Sequence, residues 1–198
     1  MKRILDILVS ALALLLLWPV MLAIWAAVRI ESPGPGIFRQ RRAGWRGKPF
    51  RMLKFRTMRA GVDPYAHSPH SRDDPRLTRL GRFLRETSLD ELPQLVNVLA
   101  GDMSIIGPRP LYERQAAEWD ASQRRRLEVR PGVTGYAQVL GRGETTIEDK
   151  IALDLEYVDK HTLLLDLKII WLTFVRLLAS GQVYETRYSR DRERETDS

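Results

Sequence analysis

The first thirty residues carry the longest apolar run of the chain. No charged residue occurs from Ile7 to Val28, and a helix of that length extends about 33 Å, enough to cross a hydrocarbon core of roughly 30 Å. Pro19 lies near the middle of this run and removes one backbone hydrogen bond from the helix. The pattern predicts a membrane segment at residues 1–31.

Basic residues flank this run on both sides, with Lys2 and Arg3 before it and Arg29 after it. Because positive residues prefer the cytoplasmic side of a membrane, a straight span would export one of the two basic flanks. A helix that bends at Trp18–Pro19 and returns to the side from which it entered keeps both flanks in the cytoplasm. A straight transmembrane helix and a signal peptide are the alternatives.

Two short strands are predicted after a proline- and glycine-rich turn at residues 32–36. Their alternating side chains cover residues 37–41 and 50–58, with a glycine-rich turn at residues 44–47 between them. In the second strand Lys54 and Arg56 fall on the same face. They could bind phosphate there, or form a solvated basic edge.

The candidate chemistry is concentrated between Arg85 and Arg109, which flank the adjacent carboxylates Asp90 and Glu91. A carboxylate pair beside fixed positive charge can bind a divalent metal or act on a phosphate. The structural alternative is helix capping, either by an S-x-x-E box of Ser88 and Glu91 or by Asp90 as the N-cap. The two prolines around Arg109 predict a rigid turn that preorganises its side chain.

A charged helix is predicted at residues 111–128, and helical spacing of apolar residues predicts four further helices, at residues 76–85, 92–99, 146–161 and 163–179. The last has no uncharged stretch long enough to span a bilayer, so it is predicted to lie at the membrane interface, with a buried core helix as the alternative. The glycines of residues 129–142 suit close backbone approach to a nucleotide or a hairpin. The charged tail at residues 185–198 is predicted to be disordered.

The amino-acid composition favours some classes of partner and excludes some kinds of site. The 198 residues include 32 Lys plus Arg against 25 Asp plus Glu, a net charge of +7, which favours an anionic partner such as a phospholipid surface or a phosphorylated substrate. There are no cysteines and three histidines, so a disulfide framework is excluded and a histidine-rich zinc site is not expected. Nucleic acid is not expected either, because the apolar first helix has no place in a soluble nucleic-acid binder.

Five motifs in order resemble those of the bacterial sugar transferases, the monotopic polyprenyl-phosphate phosphoglycosyl transferases. They are KRxxD at residues 2–6, KFRTM at 54–58, LDELPQL at 89–95, GDMSIIGPRP at 101–110 and RPGVTGYAQVLGR at 130–142. The resemblance extends to about residue 180 and looks like the minimal catalytic unit of the family. It implies an α+β, mostly helical fold, with an N-terminal re-entrant membrane helix and interfacial amphipathic helices around a small catalytic domain at residues 32–184.

The resemblance also implies a reaction, in which a phospho-sugar moves from a UDP-sugar to a polyprenyl phosphate such as undecaprenyl phosphate and UMP is released. The product would start a surface glycan or exopolysaccharide at the cytoplasmic face of the bacterial inner membrane. Asp90 would be the nucleophile that forms a covalent phospho-sugar intermediate. Glu91 would stand beside it, and Asp90 would share a Mg²⁺ ion with the diphosphate.

The same resemblance assigns the surrounding residues. It implies phosphate ligands at Arg85, Arg109, Arg56 and Lys54, and nucleotide-sugar contacts at Gln138 and Arg142. Many members have Ser-Pro at the membrane helix break, where this chain has Trp18–Pro19. The predicted partners are the donor, the lipid acceptor and the phospholipid membrane, and a homo-oligomer is left open.

A non-enzymatic, membrane-attached basic module that binds lipid or another protein is the competing prediction. It accounts for the net charge and for the apolar first helix. It does not explain why acidic residues and turn-held arginines gather in one segment.

Overall fold

In the part of the chain that the structure describes, the fold is mostly helical with two small sheets. The computed structural model describes residues 2–63, 69, 71–141 and 145–178. The helices and strands in this part of the chain are α1 (Lys2–Glu31), β1 (Ile37–Arg42), β2 (Phe50–Phe55), α2 (Arg79–Glu86), α3 (Gln94–Ala100), β3 (Ser104–Ile106), α4 (Glu113–Glu118), α5 (Ala121–Arg124), β4 (Gly132–Thr134), α6 (Tyr136–Leu140), α7 (Ile147–Lys160) and α8 (Leu163–Leu178). The predicted α+β class is confirmed. Arg142 and the tail at 185–198 lie outside the described residues.

Helix α1 is attached to the rest of the fold at both ends. Near its start, the Arg3 guanidinium donates to the backbone carbonyl of Val98 at 2.6 Å, and the buried Asp6 carboxylate accepts from the Ser104 hydroxyl. Near its end, Val28 packs into a buried cluster with residues of β2 and α2. The two ends of this helix therefore contact one and the same domain.

The middle of α1 is exposed. Leu12, Leu15, Leu16 and Trp18 present large apolar side chains to the surface, and Pro19 lies within the continuous helix. Among the described residues, α1 is the one helix long and apolar enough to cross a membrane. Such an uninterrupted apolar surface is typical of a segment that contacts lipid.

Strands β1 and β2 form the predicted antiparallel hairpin, with Ile37 opposite Phe55 and Arg42 opposite Phe50. Side chains from β2 and α3 build one core cluster, which contains Phe50, Met52 and Val98. The second strand ends at Phe55, three residues earlier than predicted. Its alternation stops there, so Lys54 and Arg56 do not continue along one strand face.

The second sheet is parallel, with Ser104 of β3 opposite Gly132 of β4. The hairpin interpretation of residues 129–142 is therefore wrong, because the chain passes from β4 directly into α6. The glycines are explained by the approach of two backbones. A Cβ atom on Gly132 would lie 2.1 Å from the Gly107 nitrogen, and one on Gly135 would lie 2.1 Å from the Gly107 oxygen.

The predicted single helix at residues 111–128 is also wrong. It is divided into α4, α5 and a 3-10 turn at Arg125–Leu127. The break lies before Asp120, whose carboxylate accepts from the Gln123 amide at 2.8 Å, while the Gln123 side chain accepts from the Asp120 amide at 3.2 Å. This reciprocal capping starts a new helix at Ala121.

Helix α8 buries one side and exposes the other. Ile169 is fully buried in a core cluster with Ile106, Val139 and Tyr157. Outward-facing apolar residues are exposed over the whole length of the helix: Leu163, Leu164, Leu167, Ile170, Trp171, Phe174, Val175 and Leu177. The alternative of a fully buried core helix is wrong.

Candidate active site

The carboxylate pair lies on a short 3-10 turn at Leu89–Glu91, between α2 and α3. Ser88 enters this turn with a φ of 57°, a left-handed conformation that is uncommon for a residue other than glycine. The Ser88 side chain makes no capping bond, and α3 begins at Gln94 with Pro93 as its N-cap. Both capping interpretations of this segment are therefore wrong.

Glu91 is held by two cations. Its Oε1 atom accepts from Lys54 Nζ at 2.7 Å and from Arg109 Nη2 at 2.7 Å. Burial alone would raise the pKa of Glu91, but the charges of Arg109 and Lys54 outweigh burial and hold the pKa well below its usual range. The ionised Glu91 carboxylate thus fixes a lysine from β2 and an arginine from a distant turn.

Asp90 is buried beside Glu91 but is held less tightly. Its Oδ2 atom lies 3.9 Å from Lys54 Nζ, farther than a hydrogen bond reaches. Burial raises the pKa of the Asp90 carboxyl, and the negative charge of Glu91 adds to the increase, against the cations of Lys54 and Arg85. The two neighbouring carboxylates therefore differ in environment, and Asp90 retains the more basic oxygens.

Lys54 reaches both carboxylates because β2 is fastened to α3. The backbone amide of Leu53 donates to Asn97 Oδ1 at 3.0 Å, and Asn97 Nδ2 donates to the Arg51 carbonyl at 2.8 Å. Burial lowers the pKa of Lys54, an effect that the charge of Glu91 opposes. Lys54 therefore lies beside the carboxylate pair, and its contact with a substrate phosphate stays a prediction.

Arg85 stands at the last turn of α2. Its Nε atom donates to the Thr57 hydroxyl at 3.0 Å, and its charge lowers the pKa of Asp90. Thr57 was not among the residues predicted for the site. The KFRTM motif contains it, but the contact joins residues too far apart in sequence for any local pattern to indicate.

The structure does not bring Arg56 to the carboxylate pair. The buried Arg56 guanidinium donates to the backbone carbonyls that end α1, at 2.7 Å to Ser32, at 3.3 Å to Val28 and to Pro33. Val28 lies in the last turn of α1, and Ser32 and Pro33 directly follow the helix. These contacts give Arg56 a role in attaching the end of α1 to the segment after β2, and its phosphate contact stays a prediction.

Gln138 also has a local partner. Its side-chain amide donates to the Val133 carbonyl at 3.0 Å, within the turn from β4 to α6. Arg142, its predicted companion in nucleotide-sugar binding, lies outside the described residues. Neither assignment gains support from a contact with Asp90 or Glu91 in the described part of the chain.

Comparison with known proteins places this arrangement in a family. Residues 1–180 match the family described as bacterial sugar transferase. The chain belongs to the bacterial sugar transferase family. The chain is 43% identical over 192 residues to the UDP-glucose:undecaprenyl-phosphate glucose-1-phosphate transferase of Escherichia coli, a match that covers 93% of the chain and 41% of that relative.

Two further relatives carry the same name. The protein from Xanthomonas campestris is 45% identical to the chain, over 92% of the chain and 40% of its own length. The protein from Caulobacter vibrioides is 45% identical to the chain, over 92% of the chain and 72% of its own length. The chain thus spans about two fifths of the first two relatives.

A divalent ion would have one suitable ligand in this site. Glu91 is occupied by Lys54 and Arg109, whereas Asp90 has no cation within hydrogen-bonding distance among the salt bridges of the described residues. No group of three His, Cys, Asp or Glu side chains in the described ranges could hold a metal. Because Mg²⁺ binds through one or two carboxylates plus substrate phosphates, Asp90 fits such an ion when a diphosphate supplies the other oxygens.

Proposed function

We propose that the protein is a phosphoglycosyl transferase that moves a sugar phosphate from a UDP-sugar to a polyprenyl phosphate and releases UMP. One observation carries the proposal: a buried carboxylate, Asp90, lies next to a carboxylate whose charge is already neutralised by Lys54 and Arg109. This arrangement keeps a basic oxygen beside fixed positive charge, as attack on a phosphate requires. The names of the three relatives support UDP-glucose as donor and undecaprenyl phosphate as acceptor.

The proposed chemistry has two steps. In the first, an Asp90 carboxylate oxygen attacks the phosphorus attached to the sugar. A phosphorus–oxygen bond to Asp90 forms, and the bond to the bridging oxygen breaks, which releases UMP. In the second, a phosphate oxygen of the polyprenyl phosphate attacks the same phosphorus, and the Asp90 carboxylate leaves unchanged. Covalent catalysis divides one difficult transfer into two easier steps.

The surrounding residues have distinct roles in this proposal. Lys54 and Arg109 offset the charge of the diphosphate as it approaches, while Glu91 keeps both cations in place. Arg85, whose charge lowers the pKa of Asp90, would contact the transferred phosphate. Mg²⁺, held by Asp90 and the diphosphate, would supply charge neutralisation when bound.

We place the protein in the bacterial cytoplasmic membrane, with the site at headgroup height. A straight helix of 30 residues would extend about 45 Å, yet both ends of α1 pack on one small domain and its middle is exposed. These contacts support a helix that bends at Trp18–Pro19 and returns to the same leaflet. The exposed apolar side of α8 supports an interfacial position for that helix.

The test is UMP release from a panel of UDP-sugars with Mg²⁺ and undecaprenyl phosphate, using purified protein in detergent or nanodiscs. The proposal expects release with at least one donor and transfer of its sugar phosphate to the lipid. A membrane-attached basic module without catalysis would release no UMP from any donor. Such a result, from folded protein, would reject the enzyme.

A further inference from the structure

The turn that carries Arg109 has the sequence Gly107-Pro108-Arg109-Pro110. Each of its last three backbone carbonyls accepts a hydrogen bond from a residue elsewhere in the chain. The Gly132 amide donates to the Pro108 carbonyl at 2.9 Å. The Arg42 guanidinium donates to the Pro110 carbonyl at 3.2 Å. The Arg126 guanidinium donates to the Arg109 carbonyl at 3.0 Å. Arg126 is therefore hydrogen-bonded to the backbone of Arg109, the residue whose side chain binds Glu91.

Arg126 is itself directed by a buried acid. Its guanidinium donates to the Asp154 carboxylate, and both side chains are almost fully buried, with 3% and 2% of their surface exposed. The guanidinium also lies over the Trp119 ring, 4.9 Å from its centroid. The planar Arg126 guanidinium thus connects Asp154 on α7 to the turn that carries Arg109.

Stability alone accounts poorly for this pair. Removing two charges from water costs free energy that a single ion pair often does not recover, and apolar residues of similar volume are frequently as stable. Here Nε and Nη1 of Arg126 and Oδ1 of Asp154 have no hydrogen-bond partner in the described part of the chain. What an apolar replacement could not reproduce is the bond to the Arg109 carbonyl.

We propose that Arg126 and Asp154 are positioning residues for the transfer reaction: they orient the Arg109 turn so that its side chain stays on Glu91 beside Asp90. The inference rests on the proposed function for its effect on turnover. Its structural part, the restraint of Arg109, does not depend on which reaction the site performs.

A matched control lies on the same two elements. Arg125 and Asp159 form an ion pair one residue earlier in the 3-10 turn and about one helical turn farther along α7. This pair is exposed, with 42% and 50% of the side-chain surface accessible, and the second acid near Arg125 is Glu128, at 3.8 Å. Arg125→Met with Asp159→Leu changes the same residue types as Arg126→Met with Asp154→Leu.

The experiment compares these two double variants with the wild type by UMP release, thermal unfolding and the rate at which phenylglyoxal modifies Arg109, read by peptide mass spectrometry. We expect the Arg126–Asp154 variant to unfold near the wild-type temperature, to lose about 100-fold in kcat through misplacement of the site, and to expose Arg109 to faster modification. The Arg125–Asp159 variant should match the wild type in kcat and in Arg109 modification.

A double-mutant cycle decides whether the effect passes through Arg109. In an Arg109→Ala background, the Arg126–Asp154 substitutions should reduce kcat no further, because the residue they position is absent. Equal reductions in both backgrounds would overturn the proposal, and so would unchanged kcat and unchanged Arg109 modification in the folded variant.

A conservative variant and a readout that does not depend on activity cover the cases in which the double variant fails to fold or the wild type is inactive. If the double variant does not fold, Arg126→Lys is tested in its place. The lysine keeps a positive charge beside Asp154, but its single ammonium replaces a guanidinium that contacts both Asp154 and the Arg109 carbonyl. This variant should stay folded and show the same loss of kcat, and full activity would contradict the proposal. If the wild type releases no UMP, the proposed function fails, and phenylglyoxal modification still tests the restraint of Arg109.

Discussion

Two buried groups of charge in this protein are built differently. In the pair of Arg126 and Asp154, one acid meets one base and both are sealed from solvent. Around Glu91, two cations converge on a single carboxylate oxygen, and the adjacent Asp90 is left 3.9 Å from the nearer of them. The pair of Arg126 and Asp154 is suited to holding the backbone in place. The group around Glu91 is suited to chemistry, because it leaves the Asp90 carboxylate available beside positive charge.

The pKa values follow this difference. The pKa of Glu91 is lowered because its two cations outweigh the effect of burial, while the pKa of Asp90 is raised mainly by burial. Burial raises the pKa of Asp154 to about 6 even though Arg126 opposes the increase. Two cations on one oxygen overcome burial at Glu91, whereas burial outweighs the nearby cations at Asp154 and at Asp90. Of the two raised carboxyls, Asp90 is the one without a cation at hydrogen-bonding distance among the salt bridges of the described residues.

The largest expected effect is that of Asp90→Asn. Without a nucleophilic oxygen, sugar-phosphate transfer should fall by about 1,000-fold or more, while circular dichroism and membrane association remain unchanged. Asp73→Asn is a suitable control, because the Asp73 side chain is 90% exposed and its cationic partner, Arg82, is 4.0 Å away. Wild-type turnover in Asp90→Asn would reject the assignment of the nucleophile.

Glu91→Gln should reduce both activity and stability. The loss of its charge releases Lys54 and Arg109, so we expect kcat to fall about 100-fold and the free energy of unfolding to fall by roughly 2–4 kcal/mol at neutral pH. Because the folded-state pKa of Glu91 is lowered, its contribution to stability is present above its unfolded pKa and disappears as the pH falls through the folded value. Urea unfolding at pH 7.5 measures the loss, and unchanged stability would argue against the double ion pair.

The acid limb of the pH–rate profile should move in opposite directions in two variants. Asp90 must be ionised to attack, and its raised pKa places this limb above that of an ordinary aspartate. Glu91→Gln removes a negative neighbour and should move the limb to lower pH. Lys54→Met removes a positive neighbour and should move it to higher pH, each by about 1 unit. Movement of the acid limb in the same direction in both variants would contradict the assignment of these charges to the environment of Asp90.

The smallest expected effect is a gain in stability from Asp90→Asn. Since the folded-state pKa of Asp90 is raised, its contribution to stability is present below its unfolded pKa and is lost as the pH rises through the folded value. At pH 8 the ionised side chain is therefore a cost that asparagine removes, so urea unfolding of Asp90→Asn should show a small gain in the free energy of unfolding. The gain should disappear near pH 4. A loss of stability at pH 8 would show that Asp90 is well paired.

Local patterns in the sequence predicted the elements that depend on near neighbours. The β1–β2 hairpin, helices α2, α3, α7 and α8, and the stop at Gly101, whose φ is 93°, all follow from alternation, helical spacing and glycine. The position of Asp90 and Glu91 between basic residues was likewise visible. These features involve interactions over a few residues, where propensity and periodicity act directly.

Long-range contacts changed the remaining assignments. The capping box failed because Glu91 is taken by Lys54, 37 residues away in sequence. Arg56, a predicted phosphate ligand, donates to the carbonyl of Ser32, 24 residues before it in sequence. The bond from Arg126 to the Arg109 turn had no sequence signal, since one arginine among three in a row does not reveal which is buried. Such partners are fixed by packing, which a single sequence does not display.

The most direct test of the account is to add a UDP-sugar labelled with ³²P on the phosphate attached to the sugar, with no lipid acceptor present, and to denature the protein after UMP appears. The account predicts label retained on wild-type protein, mapped to the peptide that contains Asp90, and absent from Asp90→Asn. Label retained equally by Asp90→Asn would contradict it, as would donor turnover in the wild type with no label on the protein.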